Sequence, residues 1–240
     1  NRWEEASCTF RVSAKTPELF DPLTGQTRPL SVYSQADGRT TVPLQFAPFG
    51  SWFIVFRKPA AAPGSVKGSN FPALTAAHKL AGPWQVSFDP RWGGPESVEF
   101  ADLTDWTKRS EDGIRFYSGT ATYRQKFDLP DSLRSADRRL ALDLGAVKQL
   151  AEVRLNGRNL GVLWAAPFRV DVTDAIRPTG NALEIEVVNF WPNRVIGDQS
   201  LPEDKRLTRT NVRKLTKDTP LVESGLLGPV QVLTAESSQK

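Results

Sequence analysis

Residues 151–163 read AEVRLNGRNLGVL and are followed at 168–172 by FRVDV. In the first stretch, Val153 and Leu155 fall on one face of an extended segment. Asn156-Gly157 is the dipeptide most typical of a two-residue turn between antiparallel strands. Apolar residues resume after this turn, and alternation of apolar and polar residues returns in FRVDV. The stretch therefore predicts a β-hairpin followed by a further strand, which indicates antiparallel β structure.

Strand patterns recur along the rest of the chain, whereas no long stretch has the 3.6-residue period of a helix. The dipeptide Asp37-Gly38 lies between two strand-like runs and predicts a second hairpin. About eight short strands without helical crossovers in the later part of the chain indicate an antiparallel sandwich or jelly roll. We therefore predict an all-β protein in which a small antiparallel β-sandwich unit precedes a jelly roll. The predicted strands outside the two hairpins are 8–12, 51–57, 84–88, 97–100, 119–129, 139–144, 168–172, 182–188 and 230–233.

The domain boundary is predicted where composition changes. Residues 59–70 read PAAAPGSVKGSN, which has no periodicity and is typical of a linker. We predict a small β-sandwich unit at 1–58, a linker at 59–79 and a jelly-roll domain at 80–236. A unit of this small size is near the lower limit for a core that is stable alone. We therefore expect it to lean on a neighbour or to lack its own first strands.

Bulk composition restricts the class of protein. Hydrophobic residues make up 39% of the 240 residues and charged residues 24%, which suits a folded protein with a buried core. No apolar run has the length needed to cross a bilayer. The single Cys8 excludes an internal disulfide framework. The chain has no methionine and no basic-then-apolar leader in residues 1–10, so we expect it to be a segment of a longer protein.

The net charge of +4 permits an acidic partner without requiring one. The clearest basic stretch is 204–217, whose four cationic residues at helical spacing would share one face of a helix, as in a nucleic-acid or membrane patch. Apolar residues are too few there to define an opposite face, which favours a solvated loop. We therefore predict neither a nucleic acid nor a membrane as partner. The four residues are Arg206, Arg209, Arg213 and Lys217.

Reactive residues are few. With one histidine and one cysteine in the chain, catalytic triads based on histidine are almost excluded, and His78 is expected to be a surface or packing residue. Glu184 and Glu186 lie two residues apart on one face of a predicted strand, which separates them by about 6–7 Å, a distance that paired glycosidase carboxylates can have. Alternate acidic residues on a solvated strand are common, so we favour that interpretation. Asp102 and Asp105 are no stronger as a catalytic pair.

Tryptophan is the residue type that points to binding. Four of the seven tryptophans, Trp92, Trp106, Trp164 and Trp191, lie in predicted loops. Indole rings stack on the C–H faces of sugars, while amide, carboxylate and guanidinium groups hydrogen-bond the hydroxyls. Residues 187–198, VVNFWPNRVIGD, place Trp191 beside such groups, namely Asn193, Arg194 and Asp198. Aromatic residues at strand ends also cap the cores of sandwiches, and the sequence leaves the two alternatives open.

Four stretches resemble the galactose-binding-like jelly roll carried by large bacterial glycoside hydrolases. Two of them, at 181–198 and 224–233, are similar to the C-terminal end of glycoside hydrolase family 106, the α-L-rhamnosidases. The hairpin followed by PFRVDVT is also similar to the sugar-binding domain of β-galactosidase-type enzymes. The stretches are YSGTATYRQKFDLP (117–130), LDLGAVKQLAEVRLNGRNLGVLWAAPFRVDVTDAI (142–176), NALEIEVVNFWPNRVIGD (181–198) and SGLLGPVQVL (224–233).

The first part of the chain joins this resemblance. FRVSAKTPELFDPLTGQTRPL (10–30) and DGRTTVPLQFAPFGSWFIVFRK (37–58) resemble the β-sandwich that follows the catalytic barrel in such enzymes. The resemblance implies that the catalytic barrel lies upstream of this chain, and no catalytic carboxylate of the family can be assigned to a residue here. It also implies a secreted or periplasmic location.

The predicted function is therefore that of a non-catalytic accessory region of a rhamnosidase-like hydrolase, which supports the catalytic domain and holds a polysaccharide. The predicted binding residues are Trp191, Asn193, Arg194, Asp198 and Trp164. The alternatives are a structural spacer without a ligand and a fragment that lends a loop to the active site of the full-length hydrolase. No cofactor is expected, although jelly rolls of this type often hold a structural Ca²⁺.

Overall fold

The computed structural model describes residues 2–60, 68–134, 138–211 and 214–235, and their regular secondary structure is almost entirely β-strand, which confirms the predicted all-β class. The described residues also form two short α-helices, α1 (Asp112–Arg115) and α2 (Pro192–Asp198). No helix among them is long and apolar enough to cross a membrane. The strands are β1 (Glu4–Phe10), β2 (Glu18–Phe20), β3 (Thr27–Pro29), β4 (Ser34–Ala36), β5 (Arg39–Phe46), β6 (Phe53–Val55), β7 (Leu74–Lys79), β8 (Trp84–Phe88), β9 (Val98–Phe100), β10 (Thr120–Phe127), β11 (Leu140–Asp143), β12 (Ala146–Lys148), β13 (Leu150–Leu155), β14 (Arg158–Leu163), β15 (Arg169–Asp171), β16 (Asn181–Val188), β17 (Gly225–Gly228) and β18 (Gln231–Ala235).

The chain divides into two compact units, a smaller one within Asn1–Leu74 and a larger one formed by Thr75–Thr234. Part of the segment predicted as a linker, 59–79, is folded into a strand or packed within the smaller unit. Its last six residues form strand β7, and Asn70 is buried in the smaller unit, where its amide hydrogen-bonds Val32 on both the backbone N–H and the carbonyl. Residues 61–67 of that segment lie outside the described residues.

The smaller unit has two three-stranded sheets, ordered β1-β5-β4 and β3-β2-β6. The predicted hairpin at Asp37-Gly38 joins β4 to β5, and both turn residues have the positive φ that this tight turn requires. The fully buried part of its core is small, with further side chains half buried around it, as expected for a unit of this length. The buried hydrophobic residues are Leu19, Leu30, Val42 and Leu44.

The larger unit contains a six-stranded sheet ordered β14-β13-β16-β10-β8-β9 and a four-stranded sheet ordered β15-β11-β18-β7, with a two-stranded pair, β12-β17. The hairpin predicted at Asn156-Gly157 joins β13 to β14, and both turn residues have positive φ. Every second residue of β16 is buried, from Asn181 to Val187, so one face of the six-stranded sheet covers the core. This arrangement confirms the predicted antiparallel sandwich.

An aromatic group lies at the centre of this core. Trp106 and Tyr123 are both fully buried, and Trp106 Nε1 donates a hydrogen bond of 2.5 Å to the Tyr123 hydroxyl. The backbone N–H of Leu226 donates to the same hydroxyl at 3.2 Å. A Cβ added at Gly225 would lie 2.4 Å from Trp106 Nε1, so only glycine allows β17 to approach the indole this closely.

The buried hydroxyl predicts a loss of stability in alkali. Desolvation raises the pKa of Tyr123 from 10.0 to about 12. A folded-state pKa above the unfolded value gives stability that is complete below the unfolded pKa and is lost as pH rises through the folded pKa. Between pH 10 and 12 we therefore expect the free energy of unfolding to fall by up to about 3 kcal/mol.

Denaturant unfolding measured between pH 9 and pH 12 checks this expectation. The Tyr123→Phe variant should be less stable at pH 9, because the Trp106 and Leu226 donors lose their acceptor, and should show a shallower decline in alkali. If the free energy of unfolding falls equally steeply with pH in both proteins, Tyr123 does not cause the decline.

Candidate functional site

The segment 190–198, which follows the end of strand β16, contains helix α2. Pro192 occupies the first helical position, where its missing N–H costs nothing, and Trp191 is the residue before the helix. All six residues from Asn193 to Asp198 are buried. A Cβ at Gly197 would lie 2.6 Å from the Phe116 ring, so glycine permits the helix to pack this closely.

Asn193 fastens the helix to the segment that precedes β17. Its side-chain Nδ2 donates to the Val222 carbonyl at 2.7 Å and to the Ser224 hydroxyl at 3.0 Å. Its Oδ1 accepts from the backbone N–H of Val222 at 2.8 Å. The amide is 1% exposed, so its hydrogen-bonding capacity is used within the chain.

Arg194 and Asp198 form a buried ion pair one helical turn apart. Arg194 Nε lies 3.0 Å from Asp198 Oδ1, although the two atoms are not aligned as a hydrogen bond. The other oxygen of Asp198 accepts from the backbone N–H and the hydroxyl of Thr208, both at 2.7 Å. The guanidinium carbon of Arg194 lies 5.9 Å from the centre of the Phe116 ring.

These contacts correct the interpretation of three predicted binding residues. Asn193, Arg194 and Asp198 were expected to hydrogen-bond sugar hydroxyls, but all three are buried and bonded to the chain itself. Their physical role in the structure is to fix α2 and, with it, the adjacent Trp191. All three residues lie on one short helix, α2.

Two further residues that sequence reasoning did not select hold the junction between β16 and α2. Asn189 Nδ2 donates to the Tyr117 carbonyl and to the Ser224 hydroxyl, both at 2.9 Å, and its Oδ1 accepts from Gly119 N–H at 2.9 Å. Ser224 thus receives hydrogen bonds from Asn189 and Asn193 together. The only sequence signal was the place of Asn189 at the end of a strand, where a side chain can satisfy free backbone groups.

Trp191 and Trp164, by contrast, are exposed, with 53% and 58% of their surface open to solvent. The strand register places both at one end of the six-stranded sheet. Leu163, the last residue of β14, pairs with Ala151, while Val188, the last residue of β16, pairs with Leu150. Because neighbouring strands are about 4.8 Å apart, these two strand ends are separated by about 10 Å.

The same end of the sheet carries two more exposed aromatic residues, Phe190 and Trp92. Phe88, at the end of β8, pairs with Ala121 at the start of β10, next to the pairing of Thr120 with Val188. A short 3₁₀ helix, Pro90–Trp92, follows β8 and is capped by the Asp89 side chain, which accepts from Arg91 N–H. We call Trp92, Trp164, Phe190 and Trp191 the aromatic end of the sheet. Trp106, which also lies outside a strand, is buried and does not belong to it.

The 3₁₀ helix and α2 are neighbours. A Cβ added at Gly93 would lie 3.7 Å from the nearer guanidinium nitrogen of Arg194 and 2.8 Å from Leu207. Gly93 has a φ of +80°, so both its conformation and its surroundings favour glycine. The Arg194 side chain of the buried ion pair in α2 therefore lies close to the backbone of the turn that carries Trp92.

Three of the four carboxylates weighed for catalysis, Glu184, Glu186 and Asp105, take part in ion pairs or caps. Glu184 accepts from Arg124 at 2.7 Å, and Glu186 accepts from Arg154 at 3.1 Å, within a ladder across the outer face of the six-stranded sheet. Coulombic attraction, chiefly from Glu152, raises the pKa of Arg154. Asp105 caps a 3₁₀ helix by accepting from Thr107 N–H. These contacts are those of cross-strand and capping partners.

In its described part the basic stretch 204–217 is mostly irregular and forms no continuous helical face, in line with the favoured interpretation as a loop. Only Glu203–Lys205 is helical there, as a single 3₁₀ turn, and Arg213 lies outside the described residues. A cavity of about 800 Å³ lies beside this stretch, and its lining mixes cations such as Arg206 and Arg209 with carboxylates such as Glu203. Among the described residues no group of three or more histidine, cysteine or acidic side chains is placed to hold a metal ion.

Comparison with known proteins identifies a matching family model, a similar sequence and a similar structure. Residues 101–218 match the family model described as the glycosyl hydrolase 2 galactose-binding domain-like. A putative beta-glucuronidase from Formosa agariphila is 36% identical over 192 residues, which cover 70% of this chain and 16% of that protein. The structure of a rhamnosidase from Novosphingobium sp. PP1Y is similar with a TM-score of 0.89 and 39% identity, over 97% of this chain and 22% of that one.

This chain therefore spans less than a quarter of the length of either relative. The predicted resemblance to a sugar-binding domain of glycoside hydrolases is confirmed at that level, by the family model and by the rhamnosidase structure. Within the larger unit, residues 101–218 therefore resemble the galactose-binding-like domain that this family model describes.

Proposed function

We propose that this chain is a non-catalytic accessory region of a rhamnosidase-like hydrolase of glycoside hydrolase family 106. In this proposal it supports the catalytic domain of its parent protein and holds a saccharide on the aromatic end of the sheet, in a secreted or periplasmic enzyme. The observation that carries the proposal is the exposure of Trp164 and Trp191 together at one end of a galactose-binding-like domain.

Exposed indole surface supports a saccharide ligand for a physical reason. An exposed tryptophan leaves a large apolar area in water, and covering that area with the C–H face of a sugar ring recovers about 25 cal/mol per Å². A shallow surface of this kind buries little of a ligand, so we expect dissociation constants of about 10 µM to 1 mM, or about 4–7 kcal/mol.

The scaffold behind the tryptophans supports the same proposal. Asn193 and the Arg194–Asp198 pair fix α2 in the core, so Trp191 is held at the start of a helix that is fastened on both sides. A ring that is already ordered loses less conformational entropy when a ligand binds. The ion-paired state of Glu184 and Glu186 favours a structural role for these carboxylates.

A titration with rhamnose-containing oligosaccharides, followed by tryptophan fluorescence, tests the proposal. We expect saturable binding that weakens about tenfold or more in Trp191→Ala and in Trp164→Ala, since about 1.4 kcal/mol of stacking corresponds to a factor of ten. Circular dichroism should show that both variants stay folded, because the two side chains are exposed.

Trp3→Ala is the matched control, because Trp3 is about as exposed but lies in the smaller unit. Its affinity should equal that of the wild type. Absence of saturable binding across a broad set of glycans would leave the structural spacer as the function. Equal losses in Trp3→Ala and Trp191→Ala would contradict the assigned surface.

A further inference from the structure

The smaller unit exposes an apolar patch that the proposed saccharide site does not use. It consists of Trp3, Leu23, Phe49 and Phe53, all of them exposed. We call these four residues the apolar patch. Phe49 is the extreme case, since 90% of its surface is open to solvent. Large exposed apolar side chains that lie at one end of a unit are a feature of surfaces that a partner covers.

Strand pairing brings the four residues to one end of the smaller unit. Glu4 pairs with Phe46, so Trp3 lies beside the start of the loop at 47–52 that carries Phe49. Phe53 begins β6 directly after this loop and pairs with Phe20. The turn that carries Leu23 follows Phe20 immediately.

Hydrogen bonds hold the two segments that present the patch. In the loop at 47–52, Gly50 N–H donates to the Ala47 carbonyl at 2.8 Å, and Trp52 Nε1 donates to the Gln45 carbonyl at 2.8 Å. In the other turn, the Asp21 side chain accepts from Leu23 N–H at 2.8 Å. The exposed side chains therefore project from ordered backbone, as in preorganised contact surfaces.

The backbone of Phe49 adds a second, independent observation. Its φ is +59°, in the left-handed region that glycine and asparagine favour and that bulky residues rarely adopt. A strained conformation persists when contacts compensate for it. The hydrogen bond from Gly50 to Ala47 closes the turn that holds this conformation, and at 90% exposure the turn presents the ring to solvent instead of to the core.

The chemistry of the patch fits a protein surface. Phenylalanine and leucine lack the polar tip that would hydrogen-bond sugar hydroxyls, and aromatic anchors that enter pockets dominate the energy of protein contacts. In the similar rhamnosidase, 97% of this chain corresponds to only 22% of the longer chain, so most of that protein lies outside the matched region. From these observations we propose that the apolar patch docks onto the catalytic domain of the parent hydrolase, with Phe49 as its central anchor. This inference rests on the proposed accessory function.

Hydroxyl-radical footprinting of this chain and of the full-length parent hydrolase tests the docking. Trp3, Phe49 and Phe53 should be oxidised at least severalfold more slowly in the full-length protein than in this chain. Trp164 serves as the internal control, since it belongs to the saccharide surface and should react equally in both.

The Phe49→Asn variant separates docking from folding. Asparagine tolerates the positive φ, and the side chain that it replaces is exposed, so the Tm of this chain should stay unchanged or rise. The Tm of the full-length hydrolase should fall by several degrees, because the docked anchor is lost, while saccharide affinity in this chain should not change. An unchanged affinity with a lowered full-length Tm thus distinguishes docking from the proposed saccharide site.

Three outcomes would overturn the docking proposal. The first is equal oxidation of Phe49 in this chain and in the full-length protein, and the second is an unchanged Tm of the full-length Phe49→Asn variant. The third is protection of Phe49 in this chain alone that grows with protein concentration, which would identify a second copy as the occupant. If this chain binds no saccharide but Phe49 is still protected in the full-length protein relative to this chain, the docking proposal stands and only the saccharide site is lost.

Discussion

Asp198→Ala is expected to lower the free energy of unfolding of the larger unit by about 3–5 kcal/mol, the cost of removing one partner of a buried ion pair. The substitution leaves the Arg194 guanidinium buried without its carboxylate, and it removes the acceptor of two hydrogen bonds from Thr208. Denaturant unfolding followed by tryptophan fluorescence measures the change.

The surface pair Asp112–Arg115 provides the matched control for this experiment. It has similar helical spacing, at i and i+3, but both partners are substantially exposed. Asp112→Ala should therefore cost less than about 1 kcal/mol. If Asp198→Ala costs no more than Asp112→Ala, the buried structural role assigned to Asp198 is wrong.

Asn193→Asp is the second substitution with a large expected effect. An ionised carboxylate cannot donate to the Val222 carbonyl or to Ser224, and it brings a negative charge against that carbonyl in a buried position. We expect a loss of about 2–4 kcal/mol in the free energy of unfolding, together with faster amide hydrogen exchange in α2.

Asn159→Ala is the control for the asparagine variant, because Asn159 is exposed and its loss should cost about 1 kcal/mol or less. Unchanged exchange rates across α2 in Asn193→Asp would show that Asn193 does not fasten the helix. If Asn193→Asp instead lowers saccharide affinity and leaves stability unchanged, Asn193 is a binding residue.

The sequence predicts the fold best where local chemistry decides it. Asn156-Gly157 and Asp37-Gly38 both form the expected turns, because positive φ at two consecutive positions restricts which residues can occur there. Helix α2 was not predicted, because six consecutive buried residues leave no apolar–polar period to detect. Strand β7 was assigned to the linker, because Leu74–Lys79 is rich in small residues and its partner strand, β18, is more than 150 residues away.

For the candidate site, the sequence identifies the residue types but not their burial. Trp92 and Trp106 both lie in short 3₁₀ turns between strands, yet Trp92 is exposed and Trp106 is in the core. The Asn193 amide can hydrogen-bond either a sugar or other residues of this chain. Its actual partners, Val222 and Ser224, lie about 30 residues downstream. Such long-range partners are fixed by tertiary packing, which no local pattern contains.

The most direct test of the saccharide surface is a two-dimensional NMR titration that follows the indole N–H resonances of the seven tryptophans. With a rhamnose-containing oligosaccharide as ligand, we predict saturable shifts for Trp164 and Trp191, with Trp92 following. The buried Trp84 and Trp106 should not move. A titration in which no indole resonance moves, or in which only Trp3 and Trp52 of the smaller unit move, would contradict the account.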